Sequence, residues 1–391
     1  MGGILNPLAL YIHWPFCLSK CPYCDFNSHV RGQIDEQAWK EGLIHELKRY
    51  ANLLQSWKQS YQLRSIFFGG GTPSLMKPQT VECLIQEAKI LWSTDKDLEI
   101  TLEANPNSVE VESFQGLTQA GVNRLSIGIQ ALNDVDLKKL GRQHSAQEGL
   151  RAIEIACSIF KRVSFDLIYD RPDQTVKQWE KELAHALMFD TEHLSLYQLT
   201  IESGTAFATQ YDRGELILPS QNISADLYEL TYAFMDQNGR PSYEVSNYAK
   251  KGAECRHNLA YWRYQDYLGI GPGAHGRLTP EKGVKISTCQ KRSPEKWLQS
   301  IADQGHGDAE FSAIDLKDQF REQLLMGLRL HQGIELENLV IPLDQGLKDK
   351  IIDEKRLNLL EKEQFLEINP THFKATRAGQ QRLQSILNYL L

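Results

Sequence analysis

Between Leu8 and Leu199 short apolar segments alternate with longer amphipathic ones, and that beat constrains the fold more than any other feature of the chain. Strands are predicted at Leu8–Trp14, Leu63–Phe68, Leu98–Leu102, Arg124–Ile129, Val163–Tyr169 and His193–Leu199. Helices are predicted at Asp35–Trp57, Pro78–Trp92, Ser108–Ala120, Ser145–Phe160 and Gln174–Met188. Asp35 and Ser108 can cap their helices, and Pro78 opens one at a position that needs no N–H. Apolar strands separated by helices form βαβ units and a parallel sheet. Six strands are too many for a small open sheet and too few for a closed eight-stranded barrel. The class predicted is therefore α/β, a six-unit partial (β/α) barrel over residues 1–240.

In such a barrel ligands gather at the carboxyl ends of the strands. The turn Gly69-Gly70-Gly71-Thr72, Glu103 and Gln130 all fall at or just after strand ends, and Asp166 lies late in its own strand. Each alone could be solvated surface; together they mark one mouth. The glycine turn matches neither a P-loop nor a dinucleotide fingerprint, and its missing side chains let a ligand approach the backbone.

The first strand runs straight into Cys17, Cys21 and Cys24, spaced C-x3-C-x2-C. Thiolates at this spacing can converge on zinc or iron–sulfur, and three ligands leave one metal position open for chemistry. Free buried thiols and a zinc loop with a distant fourth ligand are the alternatives. The other cysteines, Cys83, Cys157, Cys255 and Cys289, are scattered singly, which does not read as a disulfide framework.

A net charge of −7 with no dense basic run gives no sign of nucleic-acid binding. No signal-peptide pattern and no apolar run long enough to span a membrane is present, so a reducing, cytoplasmic, soluble protein is expected.

After residue 200 the beat fades. Gln221–Gln237 is predicted helical, and Cys255-Arg256-His257-Asn258-Leu259-Ala260-Tyr261-Trp262 follows. His257 beside two aromatics could ligate a haem iron, or could be a hydrogen-bonded histidine of an aromatic subcore. Residues 241–312 are read as an accessory segment ending in a polar linker (279–312) with a hairpin. Residues 313–391 are read as a small domain. Its predicted helices are Leu316–Leu330, Glu335–Val340, Asp344–Lys362 and Ala378–Leu390, with a hairpin at 365–376, a winged-helix-like pattern without a basic face.

Tyr11-Ile12-His13-Trp14-Pro15-Phe16-Cys17 and Cys21-Pro22-Tyr23-Cys24-Asp25-Phe26-Asn27 resemble the radical S-adenosylmethionine superfamily. Within it they resemble the branch that holds oxygen-independent coproporphyrinogen III dehydrogenase and the HemW haem chaperones. The resemblance runs nearly end to end and implies a barrel of that type. It implies that Cys17, Cys21 and Cys24 hold a [4Fe–4S] cluster whose open iron binds S-adenosylmethionine. Tyr23 would lie against the adenine and Gly70 and Gly71 beside the methionyl amine. Tyr11, Glu103, Gln130, Arg142 and Asp166 match positions that contact the cofactor. Phe26 stands where the dehydrogenase has a further cysteine, and only 16 residues precede Cys17; both departures resemble the chaperones, as does His257-Asn258-x-x-Tyr261-Trp262. The resemblance thus implies haem as cargo, His257 as a haem-related residue and a haem-accepting apoprotein as partner, with a homodimer left open. The dehydrogenase reaction is the rival. Asp170-Arg171, where relatives usually show Gly-Leu, is read as a surface pair.

Overall fold

The computed structural model describes residues 5–281 and 283–391. Strand β1 (Asn6–Trp14) is followed by α1 (Glu36–Ser56), β2 (Tyr61–Gly70), α2 (Pro78–Leu91), β3 (Ser93–Ala104), α3 (Ser108–Gln119) and β4 (Arg124–Gln130). Then come α4 (Ala146–Ile159), β5 (Arg162–Tyr169), α5 (Val176–Leu187) and β6 (His193–Gln198). Strands β1 to β6 lie side by side in chain order and all parallel, so the six-unit partial barrel is the observed architecture.

The helices start where the chain can satisfy their first N–H groups. Asp35 accepts from Ala38 N, and Ser145 and Thr175 form reciprocal capping boxes with Glu148 and Gln178. One cap differs from expectation: Asn107, not Ser108, accepts from Glu110 N, and Ser108 is already helical. Strand side chains alternate between two faces. Leu10, Ile12, Trp14, Ile66, Phe68, Leu102, Leu125, Ile127, Phe165 and Leu167 join the continuous core under the helices. The polar parity of the same strands, including Glu99, Glu103, Arg124, Ser126, Ser164, Asp166, His193 and Ser195, is left for the barrel interior.

The stretch after residue 240 corrects the linker reading. Helix α6 (Gln221–Gln237) packs on α5, and β7 (Asn247–Ala249) pairs antiparallel with β6. Helix α7 (Arg256–Trp262) is followed by β8 (Asp266–Ile270), which adds to the free side of β1 as a seventh parallel strand. Then β9 (His275–Glu281), β10 (Val284–Gln290) and, beyond α8 (Pro294–Gln304), β11 (Asp308–Ile314) extend the same sheet antiparallel, giving 11 strands. The polar composition of 279–312 concealed sheet because this outer sheet face is open to solvent on β11.

The C-terminal unit has a separate core around Phe320, Leu324, Phe373 and Ile386. Helix α9 (Leu316–Gly327) leads into a three-stranded antiparallel sheet of β12 (Ile334–Glu335), β13 (Leu366–Ile368) and β14 (His372–Ala375). The predicted helix Asp344–Lys362 is two helices, Leu343–Lys348 and Glu354–Lys362, broken at Asp353, whose carboxylate caps the second. The unit is held to the barrel by Arg277 paired with Glu322 at 2.8 Å, by Arg377 paired with Glu229, and by Arg329 lying 4.5 Å over the Trp262 ring.

Candidate functional site

The cysteine loop closes over one end of the barrel. Phe16 and Cys17 pair with His29 and Val30 as a two-residue parallel ladder, and Asn27 Nδ2 donates to the carbonyls of Pro272 and Arg292, each at 2.9 Å. The three thiols line a cavity of about 390 Å³ at the carboxyl ends of the strands. Glu103, Gln130, Arg142, Asp166, Tyr23 and Gly71 line it too. Six residues expected at the mouth are therefore brought together there with Cys17, Cys21 and Cys24.

Each sulfur has a polar neighbour. Thr72 Oγ1 donates to Cys17 Sγ at 3.4 Å, Arg142 Nη1 to Cys21 Sγ at 3.4 Å, and Ser28 Oγ lies 3.9 Å from Cys24 Sγ. Such donors stabilise thiolate bound to iron and tune a cluster. Among the described residues no three His, Cys, Asp or Glu side chains converge as ligands of one metal ion. Three thiols from one loop, each with a polar donor beside it, are a donor set that suits a cluster with one open iron. Arg142 also holds Gly128 O at 2.8 Å, while its buried Nε has no partner among the described residues. It is the cation that ties the cysteine loop to the end of β4.

Two carboxyls, Glu103 and Asp166, face this cavity with no direct ion pair among the described residues, although the charges of Arg124 and, for Asp166, Arg142 favour their ionised forms from further off. Burial, and then the neighbouring Asp166, push Glu103 up to about 8; among the described residues its only direct donor is Gly70 N at 3.3 Å. Burial likewise pushes Asp166 up to about 6, against the Ser126 hydroxyl donating at 3.4 Å. Desolvation disfavours a carboxylate until a cation or donor arrives, so these walls are suited to a guest that carries positive charge.

Two expected contacts lie elsewhere. Tyr11 sits one layer below the cavity, stacked on Phe67 and His257 with its hydroxyl 3.0 Å from His13 Nδ1. Gly70 has φ +113°, and a Cβ there would meet the His13 ring at 2.5 Å. Its glycine identity serves the turn and the packing of the first two strands rather than open space for a ligand.

His257, expected as a haem-related residue, lies buried in the barrel. It is 1% exposed, and both ring nitrogens are engaged: Nδ1 with Ser65 Oγ at 2.9 Å and Nε2 with the Tyr261 hydroxyl. Burial pushes its pKa down to about 3, and its ring stacks on Phe67. Helix α7 is the floor of the barrel. Glu99 accepts the backbone N–H groups of Arg256 and His257 at 3.3 and 3.2 Å, and Arg162 pairs with the same carboxylate at 2.6 Å. The aromatic-subcore alternative is the geometry found, because the helix must seal the polar lower half of the barrel.

Asp170-Arg171 is not a surface pair. Arg171 is 2% exposed and pairs with Glu182 and with Asp136 at 3.1 Å. Its Nη1 donates to Gln130 O at 3.3 Å, and Glu182 accepts from Leu132 N at 2.7 Å. Asp170 accepts from Gln198 Nε2 at 2.9 Å and Ser224 Oγ at 2.8 Å. Gln130 holds φ +73°, uncommon for a residue with a side chain, and this ion-pair group pins the segment that requires it. The sequence reading also passed over Asn105, Ser126 and Tyr197, which line the cavity. Inward parity with Glu103 and Asp166 along the strands was the signal that could have found Ser126 and Tyr197.

A radical SAM superfamily model matches residues 11–186, and a HemN C-terminal domain model matches residues 314–382. The chain is 42% identical over 296 residues to "Heme chaperone HemW" of Haemophilus influenzae, covering 75% of this chain and 76% of that one. It is 34% identical over 389 residues to "Radical S-adenosyl methionine domain-containing protein 1, mitochondrial" of Danio rerio, covering 98% and 86%. The solved structure of coproporphyrinogen III oxidase (HemN) from Escherichia coli superposes with a TM-score of 0.79 at 22% identity, covering 98% of this chain and 90% of that one.

Proposed function

Because the chain belongs to the radical SAM superfamily, in its HemN-like branch close to HemW, we propose that it binds haem and passes it to an acceptor protein. The observation that carries the reading is the likeness to the haem chaperone of Haemophilus influenzae over three quarters of both chains. Phe26, 57% exposed beside the cysteine loop, supports it by standing where the dehydrogenase has a cysteine. The likeness to the HemN structure supports the fold and does not by itself carry the oxidase reaction.

In this reading Cys17, Cys21 and Cys24 hold a [4Fe–4S] cluster, and S-adenosylmethionine occupies the cavity beside it. When bound, the cluster supplies one-electron reducing chemistry next to a sulfonium. The chain's own part is to hold and shield that pair. Tyr23 supplies an aromatic wall and Arg142 fixes the loop against β4. Gly71 lines the cavity with its backbone, its missing side chain being required by the Phe16 backbone 2.6 Å from where a Cβ would lie; Gln130 offers an amide at the rim, Asp166 a carboxylate, and Glu103 a carboxyl that ionises when a cationic group arrives beside it. Haem is cargo, taken up away from the sealed floor, and the acceptor is an apoprotein. No helix of the described residues is long and apolar enough to cross a membrane, and a reducing compartment such as the cytoplasm suits the exposed thiols Cys83 and Cys157.

Anaerobically purified, cluster-reconstituted protein, given haem and coproporphyrinogen III separately with S-adenosylmethionine and a reductant, tests this. Stoichiometric haem binding, transfer to apomyoglobin and no vinyl product are expected. Turnover to protoporphyrinogen would overturn the chaperone reading in favour of the enzyme.

A further inference from the structure

A protein that receives and releases haem needs an iron ligand that haem can reach from solvent, and the sealed ring of His257 does not offer one. The β9–β10 hairpin does. His275 opens β9 and Cys289 stands directly opposite it near the end of β10, with Cys289 Sγ 3.7 Å from His275 Nε2. His275 is exposed and Cys289 half-buried. The other cysteines outside the cluster loop lack such a neighbour: Cys83 and Cys157 are exposed on helices α2 and α4, and Cys255 is buried against Glu99.

Two nearby facts narrow the ligand class. First, an imidazole and a thiol stand together, but no third metal-ligating side chain joins them among the described residues. A bare zinc or copper ion would want three or four protein ligands. An iron whose four equatorial positions are filled by a porphyrin needs only one or two, and both His and Cys serve it. Either member of the pair can therefore ligate such an iron. Second, Arg292 is exposed, has no side-chain partner among the described residues, and lies close enough to act on the charge of both His275 and Cys289. A free guanidinium is the group that pairs best with a carboxylate. Arg277, which also neighbours the pair, is already taken by Glu322.

The electrostatics leave the pair neutral. Partial desolvation of a ring that still has one side open to solvent, and then the Arg277 charge, hold His275 below its ordinary value, so the imidazole is unprotonated at neutral pH. Burial, and then Glu310, hold the Cys289 thiol above its own. A neutral imidazole keeps a lone pair for iron.

We propose that His275, Cys289 and Arg292 form the landing site for haem, with His275 Nε2 as the first axial ligand, Cys289 as the neighbouring ligand and Arg292 pairing with a propionate. The site lies outside the cavity but is tied to its rim, because Asn27 of the cysteine loop holds the carbonyls of both Pro272 and Arg292. A change in that loop on loading the cavity therefore has a direct route to the landing site. The proposal rests on the reading of the protein as a haem-transfer protein.

The test is a titration of haemin into the full-length, cluster-loaded protein, read by Soret absorbance. The parent is compared with the single variants His275→Ala, Cys289→Ser and Arg292→Ala and with the His275→Ala/Cys289→Ser double variant. Thermal denaturation and iron–sulfur absorbance report whether each variant is intact. The double variant is expected to bind at least about tenfold more weakly and to lose the parent's Soret position. Arg292→Ala is expected to bind about threefold more weakly with the Soret position kept. Parent-like affinity and spectrum in an intact double variant would overturn the landing site and leave the transfer reading standing. No haemin binding by the parent would instead overturn the transfer reading itself.

Discussion

Glu99 and Glu103 point into the same barrel from the same face of β3, four residues apart, and have opposite electrostatic fates. At the floor, burial opposes ionisation of Glu99, but Arg124, Arg162 and the N–H groups of Arg256 and His257 outweigh it and hold the carboxyl below its ordinary range. At the mouth, burial and Asp166 push Glu103 up to about 8, with one backbone donor and no paired cation among the described residues. The lower half of the barrel is closed by α7, so its polar groups are one another's partners. The upper half is bounded by a cysteine loop with a cavity beneath, so its polar groups are partners of something that enters. Buried polar groups must be satisfied; where the fold leaves that undone, it has left room for a ligand.

Three changes break or sharpen this contrast. The largest effect is expected at the floor. Glu99→Ala leaves the Arg162 charge without its carboxylate and the first turn of α7 without its acceptor, and removing one partner of a buried ion pair costs about 3–5 kcal/mol. Denaturant unfolding should show that loss, while the iron–sulfur absorbance of the folded fraction is kept; a variant as stable as the parent would refute the floor's role.

Next is Arg171→Leu, which frees the Gln130 carbonyl and leaves Glu182 and Asp136 uncompensated. The affinity for S-adenosylmethionine, measured by equilibrium binding, should fall about fivefold, close to 1 kcal/mol, with cluster content unchanged. Unaltered affinity would return Asp170-Arg171 to a purely structural role.

The smallest effect carries the opposite sign from the first. A carboxyl whose folded pKa is raised opposes folding once the pH exceeds its unfolded value near the ordinary 4.5, and the penalty is complete above about 8. Glu103→Gln should therefore stabilise the ligand-free protein at pH 8 by about 1 kcal/mol, a few degrees in Tm, and give no gain near pH 4. Glu99, whose pKa is lowered, contributes stability above its unfolded value and loses it as the pH falls through the folded one. Tm measured at both pH values separates the two, and a Glu103→Gln variant less stable at pH 8 would show that this carboxyl is satisfied after all.

Much of the architecture was written locally. The six strands and their helices follow from apolar runs and capping residues, and Ser145 with Glu148 announces its helix three residues apart. The cysteine loop was legible because three thiols in eight positions need no tertiary information to be brought together. The strand-end residues Glu103, Gln130 and Asp166 were legible because parallel strands deliver their carboxyl ends to one side. A hairpin was expected here and β9–β10 form one, but its joining to the barrel sheet and the third strand were not legible, since β11 is an edge strand whose side chains are mostly exposed and whose composition therefore reads as linker.

What the sequence determined by itself is the barrel, the three-cysteine loop at its mouth and the kinship. What only the tertiary structure decided is which polar residues are spare. Tyr11 and His257 carry the same chemistry as a ligand-binding pair, yet they spend it on His13, Ser65 and Tyr261 inside the floor. Asp170 and Arg171 look like surface charge and instead hold the cavity wall. His275 and Cys289 are 14 positions apart and become neighbours through the antiparallel register of a hairpin. A side chain's type fixes the bonds it can make, but its partners come from distant strands, and whether those bonds are already made is a property of the packed chain.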